Sequence, residues 1–109
     1  MHELAITQSV VDEVRSRAGS RPVHRVRLRV GALTAIAPGS MLFCFDLVTA
    51  GTVLEGATLD IEVSPGQGTC RSCGASVTLP DPLPLCPCGS ADVAVLAGRE
   101  LTIVSMEVG

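Results

Sequence analysis

The apolar positions of the first segment recur at three- and four-residue steps. Leu4, Val11, Val14 and Ala18 fall on one stripe with Val10 on its flank, and Asp12, Glu13, Arg15 and Arg17 take the other side. That period predicts an amphipathic helix over residues 4–18. Gly19 and Pro22 predict its exit, because glycine suits a left-handed C-cap and proline cannot continue a helix. The period then drops to two. Between His24 and Val30, Val26, Leu28 and Val30 alternate with Arg25, Arg27 and Arg29, the pattern of a half-buried strand. A second such run, Ala57 to Val63, turns Leu59, Ile61 and Val63 inward and Asp60 and Glu62 outward. Its carboxylates can therefore face the arginine row across a sheet, although an exposed pair contributes only about 0–1 kcal/mol.

Helical spacing returns between these strands. Pro38 suits the first helical position, and Met41, Leu42, Phe45 and Val48 predict a second core helix over residues 40–48. Cys44, flanked by apolar residues, reads as a small hydrophobe and not as a nucleophile. Asp46 reads as a surface carboxylate at the helix edge, the other option being a group reaching toward a metal. After Gly98, Leu101 to Val108 is apolar on both faces, which predicts a strand covered on both sides or interrupted by a bulge. Pro65-Gly66-Gln67-Gly68 reads as a hinge-like linker. The expected fold class is α+β: a small mixed sheet of about three strands with two helices, plus an inserted zinc-ribbon-like module. Residues 1–66 and 97–109 would form one discontinuous domain, and residues 67–96 the module.

The chemistry of that module comes from four thiols. Cys70-Arg71-Ser72-Cys73 and Cys86-Pro87-Cys88 are separated by twelve residues, a spacing that can gather four soft donors around a tetrahedral Zn²⁺. Gly74 and Gly89 each follow the second cysteine of a pair, where a knuckle turn favours a small residue with positive φ. A segment this short buries too little surface to fold alone, so bound metal would supply much of its stability, about 10–16 kcal/mol in zinc-finger peptides. A disulfide or redox pair fits less well. No signal peptide is apparent, so the thiols are expected in a reducing cytoplasm, and no βαβ pattern follows the first pair.

Composition narrows the function. Hydrophobic residues make up 47% of the 109, but with two Phe and no Trp or Tyr the core must be aliphatic. No apolar run approaches the roughly 20 residues that span a bilayer, so no membrane role is expected. Eight basic against eleven acidic side chains give a net charge of −3, which disfavours nucleic acid as a partner. An enzyme is not expected either, since a four-thiolate zinc has no open coordination position. A zinc-ribbon adaptor for protein or nucleic acid stays as the alternative reading.

Donors also converge at Met1-His2-Glu3. A free α-amine, the deprotonated amide nitrogen of His2 and its imidazole Nδ1 close two chelate rings on one ion, with Glu3 available as a further donor. Coplanar nitrogens suit Ni²⁺ or Cu²⁺ better than Zn²⁺. On these three residues alone, an exposed early histidine without a role is the simpler reading. His24, at a strand start, reads as structural or solvent-facing.

Several motifs in order change that balance. Met-His-Glu-Leu at the start, Val30-Gly31-Ala32-Leu33, Phe43-Cys44-Phe45-Asp46-Leu47, Leu54-Glu55-Gly56-Ala57, the Cys-x-x-Cys pair, Cys86-Pro87-Cys88-Gly89-Ser90 and Gly98-Arg99-Glu100-Leu101 together resemble the HypA/HybF hydrogenase maturation proteins over nearly the whole chain. The resemblance implies a nickel metallochaperone with a nickel-binding α/β domain and a structural zinc domain. It would work with a HypB-type GTPase to deliver nickel to the large subunit of [NiFe] hydrogenase, and in some organisms to urease. Nickel ligands carry over to Met1, His2 and Glu3, and zinc thiolates to Cys70, Cys73, Cys86 and Cys88. Structural Zn(II) and transferable Ni(II) are the implied metals, and a monomer or a homodimer is compatible with the sequence. The chain departs from the family at the second pair, which has one spacer residue where the family has two.

Overall fold

A computed structural model of the protein describes residues 2–109. In chain order it contains α1 (Glu3–Ala18), β1 (Val23–Gly31), a 3-10 turn (Ala32–Thr34), α2 (Pro38–Thr49), β2 (Thr58–Ser64), β3 (Gly66–Cys70), β4 (Ser76–Leu79), β5 (Val93–Ala97) and β6 (Leu101–Val108). The strands form two three-stranded sheets, ordered β2-β1-β6 and β4-β3-β5. The α+β class read from the periodicity is the observed one. The chain divides into two compact units. One holds the chain up to Leu28 with Ile36–Glu62 and Ile103–Gly109, and the other holds Arg29–Ala35 and Val63–Thr102.

In the first unit α1 packs against α2. The buried stripe of α1 is Thr7, Val10, Val11, Val14 and Ala18, while Leu4, expected in it, is 55% exposed. Thr7 stands one turn before Val11 and takes the inward position instead; its Oγ1 has no hydrogen-bond partner among the described residues. Gly19 ends the helix with φ of 66° and donates its N–H to the Arg15 carbonyl. The helix α2 begins with proline in its first turn and buries Met41, Phe45 and Thr49. Leu42, expected inward, is exposed. Between the strands one arginine of the row meets acids: the Arg25 guanidinium pairs with Asp60 and lies 3.4 Å from Glu107. These side chains are half exposed, so the pairing sets partners more than it adds stability.

Two expectations fail for a shared reason. The last strand, β6, is an edge of its sheet with β1 at the centre. Its apolar residues are therefore only partly covered, and Val104 is exposed. The segment read as a hinge-like linker is instead the start of β3, paired in antiparallel register with β4 and β5. Its glycines are there for room. A Cβ on Gly66 would stand 2.8 Å from the Leu33 side chain, and one on Gly68 would stand 2.6 Å from Val93. In both cases composition was a poor guide because tertiary contact decides.

The second unit closes around Leu33. Gly31 donates to the Glu100 carbonyl and Leu33 to the Gly98 carbonyl, each at 2.8 Å. The Glu100 carboxylate accepts from the Ser64 hydroxyl and from the Gly98 N–H, and the Ser64 hydroxyl is the main reason its carboxyl is held below the usual range. At Gly31 a Cβ would fall 2.0 Å from the Gly98 carbonyl oxygen, a clash with backbone that no rotamer relieves. Gly31→Ala is therefore expected to lower stability by about 1–3 kcal/mol, read as a shifted denaturant midpoint. An unchanged midpoint would mean the two backbones are free to part.

Candidate metal centre

The four-cysteine cluster is built from two knuckles of one design. In the first, Cys70 ends β3; its N–H donates to the Ala75 carbonyl at 2.9 Å, and Gly74 donates back to the Cys70 carbonyl at 2.8 Å. In the second, Cys86 donates to the Ser90 carbonyl at 2.9 Å and Gly89 donates back to the Cys86 carbonyl at 2.8 Å. The pattern is the same with one residue fewer. Gly74 and Gly89 have φ of 78° and 97°, the left-handed conformation that turns each chain back on itself. The single spacer Pro87 thus shortens the second knuckle without removing its cysteines from the cluster.

All four sulfurs lie within 4.8 Å of one another. The Cys70 and Cys88 sulfurs are 3.7 Å apart, as are those of Cys73 and Cys86. Four thiolates about 2.3 Å from a tetrahedral zinc would stand roughly 3.8 Å apart, so the cluster fits a structural zinc ion. Cys70 and Cys86 are buried, and Cys73 and Cys88 are exposed. The buried pair joins Val77, Leu79 and Val93 in the small core of this unit, with Leu33 and Val95 packed against it. Outside the sulfurs, the Ser72 and Ser90 hydroxyls meet at 2.9 Å and Arg71 pairs with Asp92 at 2.8 Å, tying one knuckle to the other. Sequence spacing alone does not reveal these two ties.

The electrostatics of the cluster call for a cation. The backbone N–H of Cys73, and with it that of Ser72, holds the Cys70 thiol down to about 6 against the cost of burial. At Cys86 the Cys88 N–H favours the thiolate, but burial and the three neighbouring thiols outweigh it and push this group up to about 12. One thiolate is accommodated by the protein itself. Gathering four anionic sulfurs in this space requires positive charge among them.

His2 and Glu3 stand apart from this cluster in sequence and belong to the first unit. Met1 lies outside the described residues. His2 is exposed and is the N-cap of α1, its carbonyl accepting the Ile6 N–H at 2.9 Å. Glu3 opens the helix, and its Oε2 accepts the backbone N–H of Ala37 at 3.2 Å. That contact joins the start of α1 to the N-cap of α2 across 34 residues of sequence, and no local pattern signals it. His24 is exposed on β1. Among the described residues no helix is long and apolar enough to cross a membrane.

Two small sheets, one bearing a four-thiol cluster fitted to zinc, together with a helical pair, define a two-unit metal-binding protein. Residues 1–108 match the family model described as "Hydrogenase/urease nickel incorporation, metallochaperone, hypA", and the chain belongs to that family. It is 47% identical over 108 residues to the hydrogenase maturation factor HypA of Nostoc punctiforme, covering 99% of this chain and 96% of that one. It is also 47% identical over 113 residues to HypA of Methylocella silvestris, covering 99% of each chain. Among solved structures, that of the nickel metallochaperone HypA from Helicobacter pylori superposes with a TM-score of 0.64 at 22% identity, over 99% of this chain and 97% of that one. The fold is therefore shared at a distance where few side chains are.

Proposed function

We propose that this protein binds Ni²⁺ through the amine of Met1, the amide and imidazole nitrogens of His2, and Glu3, and hands the ion on during maturation of [NiFe] hydrogenase, with urease as a second possible recipient. Membership of a nickel-incorporation family supports the cargo. The observation that carries the site is the position of His2 and Glu3 at the very start of α1. The first N–H groups of a helix have no acceptor within it, so the amide nitrogen of His2 is free to lose its proton to a metal without breaking the helix. The exposed His2 side chain is open to an incoming ion and to a recipient.

Zinc is the resident metal in this reading, held by Cys70, Cys73, Cys86 and Cys88 in residues 67–96. Nickel is the passenger, held by the domain of residues 1–66 and 97–109. The difference follows from the donors: four thiolates enclose an ion, whereas a terminal nitrogen chelate leaves one side exposed. The protein acts as a carrier and not as a catalyst. Its partners are a HypB-type GTPase and the hydrogenase large subunit, in the cytoplasm.

A nickel titration of the native chain beside a version with two residues added ahead of Met1 tests this reading. The added residues convert the amine to an amide, and affinity is expected to fall by about 100-fold or more, worth roughly 2.7 kcal/mol. Zinc content should not change. Equal nickel affinity in the two proteins would refute the amine assignment.

A further inference from the structure

The helix α2 has a second face that the core does not use. Met41, Phe45 and Thr49 are buried, with Cys44 and Val48 partly covered. At about 100° per residue, Leu42, Asp46, Phe43 and Leu47 follow one another around an arc that starts beside Thr49 and runs to the side opposite the core, and all four are exposed. Leu42 is 43% exposed, Leu47 58% and Phe43 68%. Scattered surface hydrophobes are ordinary, but three large ones on one helix face form a patch of the kind that marks contact with another protein. Phe43 is one of only two aromatic residues in the chain, and it points outward. Asp46 stands near the middle of the patch, without an ion pair or side-chain hydrogen bond among the described residues.

We propose that this face of α2 docks a helix of a partner protein whose apolar side chains surround one Lys or Arg. Charge decides the occupant. Covering Asp46 with purely apolar surface would strip a carboxylate of water with no compensation. A partner must therefore bring a cation to it. A second copy of this chain is a poor occupant, because a two-fold contact brings the same patch to both sides and sets Asp46 against its own mate. Size agrees. A helix of 12 residues is about 18 Å long, and its exposed face covers on the order of a few hundred Å². That is well under the roughly 800 Å² per partner of a stable complex, and it suits the brief contact a carrier makes.

The surface uses none of the metal-binding residues, so its test separates from that of nickel binding; its assignment to a GTPase partner rests on the function proposed above. Two synthetic amphipathic helices serve as probes, both with leucines at helical spacing, one with a central Arg and the other with Glu in its place. By fluorescence anisotropy the Arg peptide should bind the native protein at least about tenfold tighter than the Glu peptide. Phe43→Ser and Leu47→Ser should each weaken that binding about tenfold, and Asp46→Lys should reverse the preference. Nickel affinity and zinc content should stay at native values in all three. Equal binding of the two peptides, or Phe43→Ser within about twofold of native, would overturn the proposal. So would self-association in sedimentation that Phe43→Ser abolishes, since a second copy would then own the face. With the purified HypB-type GTPase, loss of affinity in Phe43→Ser supports the docking face and an unchanged affinity overturns it. If the native protein does not bind that GTPase at all, the partnership proposed above fails, and the peptides alone decide the docking chemistry.

Discussion

Cys70→Ser is expected to release zinc and to unfold the unit containing Val63–Thr102, leaving the helical unit folded. Cys70 has no exposed surface and shares the small core with Val77, Leu79, Cys86 and Val93. The substitution removes one of four donors and puts a hydroxyl among apolar side chains. With so small a core, metal binding is folding free energy, and its loss is worth on the order of 10 kcal/mol. The check is a ¹H–¹⁵N spectrum with a zinc assay: residues 63–102 should collapse to random-coil shifts while residues 3–28 keep their dispersion. Cys88→Ser asks a sharper question about the shortened knuckle. Its sulfur lies 3.7 Å from that of Cys70, so it should lose zinc as fully as Cys73→Ser, the other exposed position. Full zinc retention in Cys88→Ser would mean that the one-residue spacer has taken this cysteine out of the ligand set.

His2→Ala should remove tight nickel binding and spare zinc. The substitution deletes the imidazole and with it one of the two chelate rings, and a loss of about 100-fold, roughly 2.7 kcal/mol, is expected. Stability should barely change, since His2 is an exposed N-cap with no side-chain capping bond. Because every nitrogen donor must shed a proton to bind, native affinity should fall as the solution is acidified. Nickel should leave before zinc, which four soft thiolates enclose. Isothermal titration at several pH values checks both points; native affinity in His2→Ala, or zinc leaving first, would contradict them.

Residue type and spacing made parts of this molecule legible and left others hidden. The zinc cluster was legible because thiols have few reasons to be crowded, and Gly74 and Gly89 marked the turns that crowd them. The strand β1 was legible because its face is set by strict alternation. Leu4 and Leu42 were misplaced because hydrophobicity says which residues can be buried, not which are, and Thr7 took a position a leucine was expected to share. The edge position of β6 depends on sheet order, which no local period encodes. Gly66 and Gly68 looked like flexibility because the side chains that crowd them, Leu33 and Val93, are distant in sequence. At the start of α1 the Ala37 N–H that holds Glu3 was not readable, because it comes from 34 residues away.

Nickel K-edge absorption on protein carrying one zinc and one nickel tests the two-site account most directly. A nickel first shell of nitrogen and oxygen alone, with a sulfur shell at the zinc edge, is the predicted result. Thiolate sulfur around the nickel would contradict it, because cargo and resident metal would then share the Cys70, Cys73, Cys86 and Cys88 cluster.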